Sequence, residues 1–148
     1  IIAGEFYDNP ELYIKQIEDL GISDKVVIFN KYITDNEVNK FFSAASLIAQ
    51  PYKSATQSGV SQVAYHFEKP MCVTNVGGLA EVVPDGKVGY VVKPDAMSIA
   101  AAIDDFFSNG RENEFASNIS IEKQKYKWSR FVESIEELYN EVKESSKK

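Results

Sequence analysis

Apolar positions along this chain recur in two rhythms that take turns. Short apolar runs read as strands: "IIAG" at 1–4, "KVVIF" at 25–29, "SLIAQ" at 46–50, "PMCVTN" at 70–75 and "VGYVV" at 88–92. Between them the spacing turns helical. Tyr13, Ile17 and Leu20 form the stripe of a helix over 9–21, with Asn9 able to cap it, Pro10 suited to its first position and Gly21 ending it. Thr34 and Glu37 make a capping box for a helix over 34–45, whose apolar face is Val38, Phe41, Phe42 and Ala45. "GVSQVAYHF" predicts a helix over 59–67. "LAEVV" predicts a single turn closed by Pro84-Asp85-Gly86. Asp95 caps a helix that runs through Ile99, Ile103, Phe106 and Phe107 to Asn109-Gly110. Strands separated by helices imply parallel pairing with crossover helices, and strands apolar on both faces suit a buried parallel sheet. The expected fold is α/β, a Rossmann-like parallel sheet flanked by helices.

After Gly110 the pattern is helical only. Residues 111–128 carry a weak helical period. Residues 129–144 carry a strong one, with Phe131, Ile135, Leu138 and Val142 on one face. These closing helices, 111–148, end in a tail expected to fray, 145–148. No internal repeat or low-complexity linker interrupts the chain.

Composition changes this picture in a few places. The 148 residues fit one domain, 1–148. A net charge of −6, with acids spread along the chain, argues against nucleic acid, whose phosphates require a basic footprint. Cys72 is the one cysteine, which excludes an internal disulfide and fits a reducing, cytoplasmic compartment. No apolar run reaches bilayer length. The chain opens in mid-strand without an initiator Met, as expected of an excised piece truncated at its N-terminus.

In doubly wound sheets ligands sit outside the carboxyl ends of the strands. That rule selects Gly4 to Asn9, Pro51 to Gly59, Asn75 to Gly78, and Lys93 to Asp95. Thr56, Gln57, Ser58, Gly59 and Val60 stand where a helix begins, and free N–H groups with the positive end of the helix dipole favour an anion there. Gly59, and likewise Gly77 and Gly78, would let a ligand approach the backbone. The same pattern also fits a plain reading in which Ser58 caps the helix and the glycines make turns. Neither loop matches the Walker or dinucleotide fingerprints.

The run "SLIAQPYKSATQSGVSQVAYHFEKPMCVTNVGGLAEVVPDGKVGYVVKPDAMSIAAAI" resembles the nucleotide-sugar-binding half of the retaining, two-domain GT-B glycosyltransferases of family 4. The resemblance is carried, in order, by Pro51, Ser58-Gly59, Lys69-Pro70, Gly77-Gly78, Glu81, Gly89 and Asp95. Upstream "IIAGE" and "FNKYITDNEVNKFFSAAS" resemble the preceding strand–helix units, and "YKWSRFVESIEELY" resembles the family's closing helices. The resemblance implies a donor-binding, C-terminal domain with the acceptor domain missing. It implies transfer of a sugar, of hexosyltransferase type, from a nucleoside diphosphate sugar to an acceptor hydroxyl with retention. Backbone amides at Ser58, Gly59 and Val60 would meet the diphosphate. Gly77 and Gly78 would lie near the sugar and phosphates, Glu81 would serve the donor site, and Thr56 and Gln57 would offer hydroxyl and amide contacts. No protein nucleophile is evident and the resemblance assigns no catalytic residue here; no cofactor beyond the sugar-nucleotide substrate is implied, and no metal site is implied. The isolated fragment is expected to bind without turnover. Bacterial polysaccharide biosynthesis and a peripheral membrane association through the missing half also follow from the resemblance alone.

Three departures from the family stand out. Its pair of glutamates across this loop and helix falls on Ala55 and Val63, or on Thr56 and Ala64 if the register slides by one. Its Gly after the Phe29 strand is Asn30. Its diphosphate-neutralising Arg and Lys lie upstream of Ile1. Loss of the glutamates raises two alternatives: a degenerate, non-catalytic binding or regulatory module, or a sugar-nucleotide epimerase of the same fold, for which only His66 and Glu81 are nearby acid–base candidates. Elsewhere, His66 reads as a structural or surface residue because no second His exists as a partner. Cys72 reads as an inert buried thiol, Lys53 as a solvated loop residue, and Tyr126 and Trp128 as packing where the closing helices turn.

Overall fold

The structure is a computed structural model and describes residues 1–145. The expected fraying of the tail falls at 146–148 outside the described residues, whereas Ser145 is helical. The chain divides into two compact units, Ile1–Ala44 and the remainder from Ala45.

The first unit holds β1 (Ile2–Ala3), α1 (Glu11–Asp19), β2 (Ile28–Phe29) and α2 (Asp35–Ala44). β1 and β2 pair in parallel, with Ile2 opposite Ile28. Asn9 does cap α1: its Oδ1 accepts the N–H of Glu11 at 3.0 Å. The Thr34–Glu37 box also forms. The Glu37 carboxylate accepts the Thr34 N–H at 3.3 Å and its hydroxyl at 2.9 Å, and pairs with Lys31 at 2.6 Å. Lys31 first, and Thr34 next, hold the Glu37 carboxyl down to about 2. Asn30, where the family has Gly, accepts the Phe6 N–H at 3.2 Å through Oδ1. No residue of either helix is buried.

The second unit is built on β3 (Ile48–Gln50), β4 (Met71–Thr74) and β5 (Gly89–Val92), parallel and adjacent in that order. The parallel pairing anticipated from the sequence is present, but the strands form two sheets rather than one and are shorter than their apolar runs. Strand length is set by pairing partners far away in sequence, which a local apolar run does not encode. α3 (Gly59–His66) connects β3 to β4, and α4 (Leu79–Val82) connects β4 to β5. α5 (Ala96–Ser108), α6 (Glu112–Glu122) and α7 (Trp128–Ser145) follow. Met71, Val73, Leu79, Val83, Val88, Phe106, Phe115 and Ile119 are fully buried and make the core. Cys72 lies among them, and burial pushes its thiol up, so it is chemically quiet.

Two junctions tie the helices down. Glu68 follows α3 in the left-handed region, φ 54°, where the Lys69 N–H closes on the Ala64 carbonyl at 2.9 Å. Its carboxylate pairs with Lys123 at 2.6 Å. At the end of α6 the buried Glu122 pairs with Lys125 and, at 2.8 Å, with Lys87. Tyr126 packs on Tyr65 with ring centroids 5.0 Å apart, as expected. Trp128 corrects the sequence reading: it is 78% exposed and stacks on Phe131, 5.2 Å away, at the exposed start of α7. Among the described residues no helix is long and apolar enough to cross a membrane.

Candidate functional site

The carboxyl ends of β3, β4 and β5 open into loops 51–58, 75–78 and 93–95. The last of these is committed to structure. Asp95 caps α5, its carboxylate accepting the Ser98 N–H and hydroxyl at 2.8 Å each, and those bonds hold its carboxyl low.

The start of α3 is different. Ser58 occupies the cap position in an extended conformation, yet its side chain makes no capping bond. The Ser61 N–H turns back to the Ser58 carbonyl at 3.2 Å. No acceptor for the N–H groups of Gly59 or Val60 appears among the described residues, and both residues are exposed. A Cβ placed on Gly59 would meet nothing within 4 Å. The plain reading in which Ser58 satisfies the helix start is therefore not what its side chain does. A first turn whose N–H groups lack acceptors is where an anion is stabilised.

The glycine pair does something other than make room for a ligand. Gly77 has φ +52°, and a Cβ there would lie 1.7 Å from the Ala55 carbonyl oxygen. A Cβ on Gly78 would lie 2.9 Å from the Thr56 carbonyl oxygen, and the Gly78 N–H donates to that oxygen at 2.8 Å. The two loops are thus joined backbone to backbone. The junction gathers the sequence-derived candidates: from the same Gly78 position the Gln57 Cγ is 3.7 Å away and the Glu81 Oε2 is 3.8 Å away. Thr56, Gln57 and Glu81 are all exposed there. His66 lies at the far end of α3, exposed, its ring edge-on to Phe67 at 4.9 Å.

Sequence reasoning passed over Gln50, Ser61 and Thr74. Gln50 and Ser61 bond to each other through their side chains, and the Thr74 hydroxyl donates to the Tyr52 carbonyl at 2.6 Å. The available signal was a polar residue closing each of two apolar strands, Gln50 in "SLIAQ" and Thr74 in "MCVT". Among the described residues no group of three His, Cys, Asp or Glu side chains converges as a metal site would require.

The profile of the family described as glycosyl transferases group 1 matches residues 1–109. The chain belongs to that family. Among relatives of this family member, the D-inositol 3-phosphate glycosyltransferase of Corynebacterium urealyticum is 26% identical over 142 residues, covering 95% of this chain and 33% of that protein. The sucrose-phosphate synthase of Thermosynechococcus elongatus superposes with a TM-score of 0.76 at 20% identity, over 97% of this chain and 38% of that one. HepE of Anabaena, solved in complex with UDP, gives a TM-score of 0.76 at 22% identity, over 94% of this chain and 40% of that one. HepE has also been solved with UDP-glucose. These neighbours share the GT-B arrangement of parallel sheets flanked by helices. The chain spans about a third of the length of the sequence relatives it matches.

Neither register of the resemblance, Ala55 with Val63 or Thr56 with Ala64, puts a carboxylate at the positions of the paired glutamates. Ala55 presents its carbonyl to Gly77, and Val63 is half-buried on α3. Glu81 is the carboxylate that the loop junction places beside Thr56 and Gln57.

Proposed function

We propose that this chain is the donor-binding domain of a retaining glycosyltransferase that moves a hexose from a nucleoside diphosphate sugar to an acceptor hydroxyl. The observation that carries the reading is the start of α3: an N-cap serine whose hydroxyl does not cap, followed by two exposed residues whose N–H groups have no acceptor among the described residues, with free space beside the Gly59 Cα. A diphosphate seated there would be met by the amides of Gly59 and Val60 and by the Ser58 hydroxyl, with the helix dipole behind them. Thr56 and Gln57 would bond hydroxyls of the sugar or ribose, and Glu81 would accept a further one. Catalysis would come from positioning and from stabilising charge on the departing diphosphate. The UDP and UDP-glucose held by HepE make UDP the natural first probe. The reading includes a cytoplasmic reaction in bacterial polysaccharide assembly, with acceptor binding and any membrane association supplied by other parts of the protein.

Titration of the chain with UDP, ADP and GDP, followed by backbone amide NMR, tests this. Shifts confined to Ser58, Gly59, Val60 and the 75–78 loop are expected. Gly59→Val should abolish them while the rest of the spectrum persists, because its side chain would occupy the open space. Unchanged affinity in that variant removes the site from α3.

A second reading is favoured by one observation: in neither register of the resemblance, Ala55 with Val63 or Thr56 with Ala64, does a carboxylate fall at the positions of the paired glutamates. Under it the domain binds nucleotide in a partner-binding or regulatory role. The protein carrying both halves would then bind donor yet neither transfer nor hydrolyse the sugar.

A further inference from the structure

Gln50 closes β3 and Ser61 stands in the first turn of α3, and each is 1% exposed. The Gln50 Nε2 donates to the Ser61 Oγ at 3.0 Å, and the Ser61 hydroxyl lies 3.3 Å from the Gln50 Oε1. Thr74, also 1% exposed, closes β4; its hydroxyl reaches the Tyr52 carbonyl at 2.6 Å and the Gln50 carbonyl at 3.4 Å. No buried side-chain nitrogen or oxygen among the described residues lacks a partner.

A buried amide facing a buried hydroxyl is a demanding way to fill space, because each must be satisfied or it destabilises the fold. A leucine against an alanine would fill a similar volume with no such demand. What the polar pair adds is direction: a hydrogen bond holds the start of α3 at one height and one rotation relative to the end of β3. Ser61 immediately follows Val60, so its anchor fixes where the Gly59 and Val60 N–H groups point. Thr74 fixes the other end of the same loop at Tyr52.

The geometry points to Gln50 and Ser61, backed by Thr74, as positioning residues that aim the α3 amides at the donor diphosphate. This rests on the donor-site reading above and adds to it what sets the site's precision. The arrangement belongs to the described contacts of this chain and uses none of the family's carboxylates.

The test combines UDP titration by amide NMR with thermal melts. The Gln50→Leu/Ser61→Ala double variant removes both polar groups at once, so neither is left unpaired. It is expected to melt within about 4 °C of the parent chain and to bind UDP about 10-fold more weakly, with smaller UDP-induced shifts at Gly59 and Val60. Thr74→Val, nearly isosteric, gives an independent version: a folded variant with weakened UDP binding is expected. Wild-type UDP affinity in either folded variant overturns the positioning role while leaving the donor site in place. If the parent chain responds to none of UDP, ADP and GDP, the donor-site reading falls and the positioning role falls with it; if it answers ADP or GDP instead of UDP, the same variants are read with that nucleotide.

Discussion

Three single residues show how much one position decides. Gly77 sits at positive φ against the Ala55 carbonyl, whereas Gly59 faces open space without a positive φ. Gly77→Ala should therefore destabilise by about 2–4 kcal/mol, since either the loop or the backbone must move. Gly59→Ala should stay within ~1 kcal/mol of the parent. Chemical denaturation of the two variants separates a glycine needed for the fold from one that faces open space. Glu68 is the opposite case, a non-glycine in the left-handed region. In a Lys123→Ala background, Glu68→Gly should stabilise by ~1 kcal/mol. With Lys123 present the gain shrinks by the worth of their half-exposed ion pair, ~0.2–1 kcal/mol. The sequence made Ser58 and Gly59 visible as a helix start. It could not show that Gly77 exists for Ala55, because that contact joins residues 22 apart and no local pattern encodes it.

At the scale of elements, helices were legible where a cap and a stripe coincided. α2 has both, and α5 has Asp95 on the Ser98 N–H. β1 and β2, two residues each, were overestimated, because an apolar run says nothing about where its partner strand stops. Charges at the element ends yield pH predictions. The folded-state Glu37 carboxyl lies at about 2, below its unfolded value. Its contribution to α2 is thus fully present above the ordinary carboxylate range and lost as pH falls through about 2. A carbon-detected carboxyl titration should find that midpoint, and Lys31→Ala should raise it. Glu122, at the end of α6, is also held low, by Lys125 first and Lys87 second. Removing both lysines leaves a buried carboxylate unpaired, a loss of about 3 kcal/mol at neutral pH. Desolvation then raises its folded pKa, so that loss should shrink as pH falls toward 4, opposite in sign to the parent chain. Urea melts at pH 4 and pH 7 read this directly.

For the whole molecule, burial is unequal. The second unit owns the fully buried core, while neither helix of the first unit buries a residue. Hydrogen exchange should be slowest at β4, whose four residues are all buried, and fast throughout α1 and α2. Equal protection in both units would contradict this division. α7 adds an apolar face left in solvent, with Phe131, Ile135, Leu138 and Val142 all more than half exposed. The sequence showed that stripe at once, because it is a local period. Whether anything covers it is not a local property, so the expected packing of Trp128 failed there. The joining of the β3 and β4 loops through Gly77 and Gly78 also carries an evolutionary consequence. Neither loop can drift alone. A substitution that shifts the Ala55–Thr56 backbone shifts the glycine pair with it, so mutations in the two loops should be strongly epistatic. If the proposed donor site lies here, new donor preferences would arise through paired changes across the junction, or through exposed side chains such as Gln57 and Glu81.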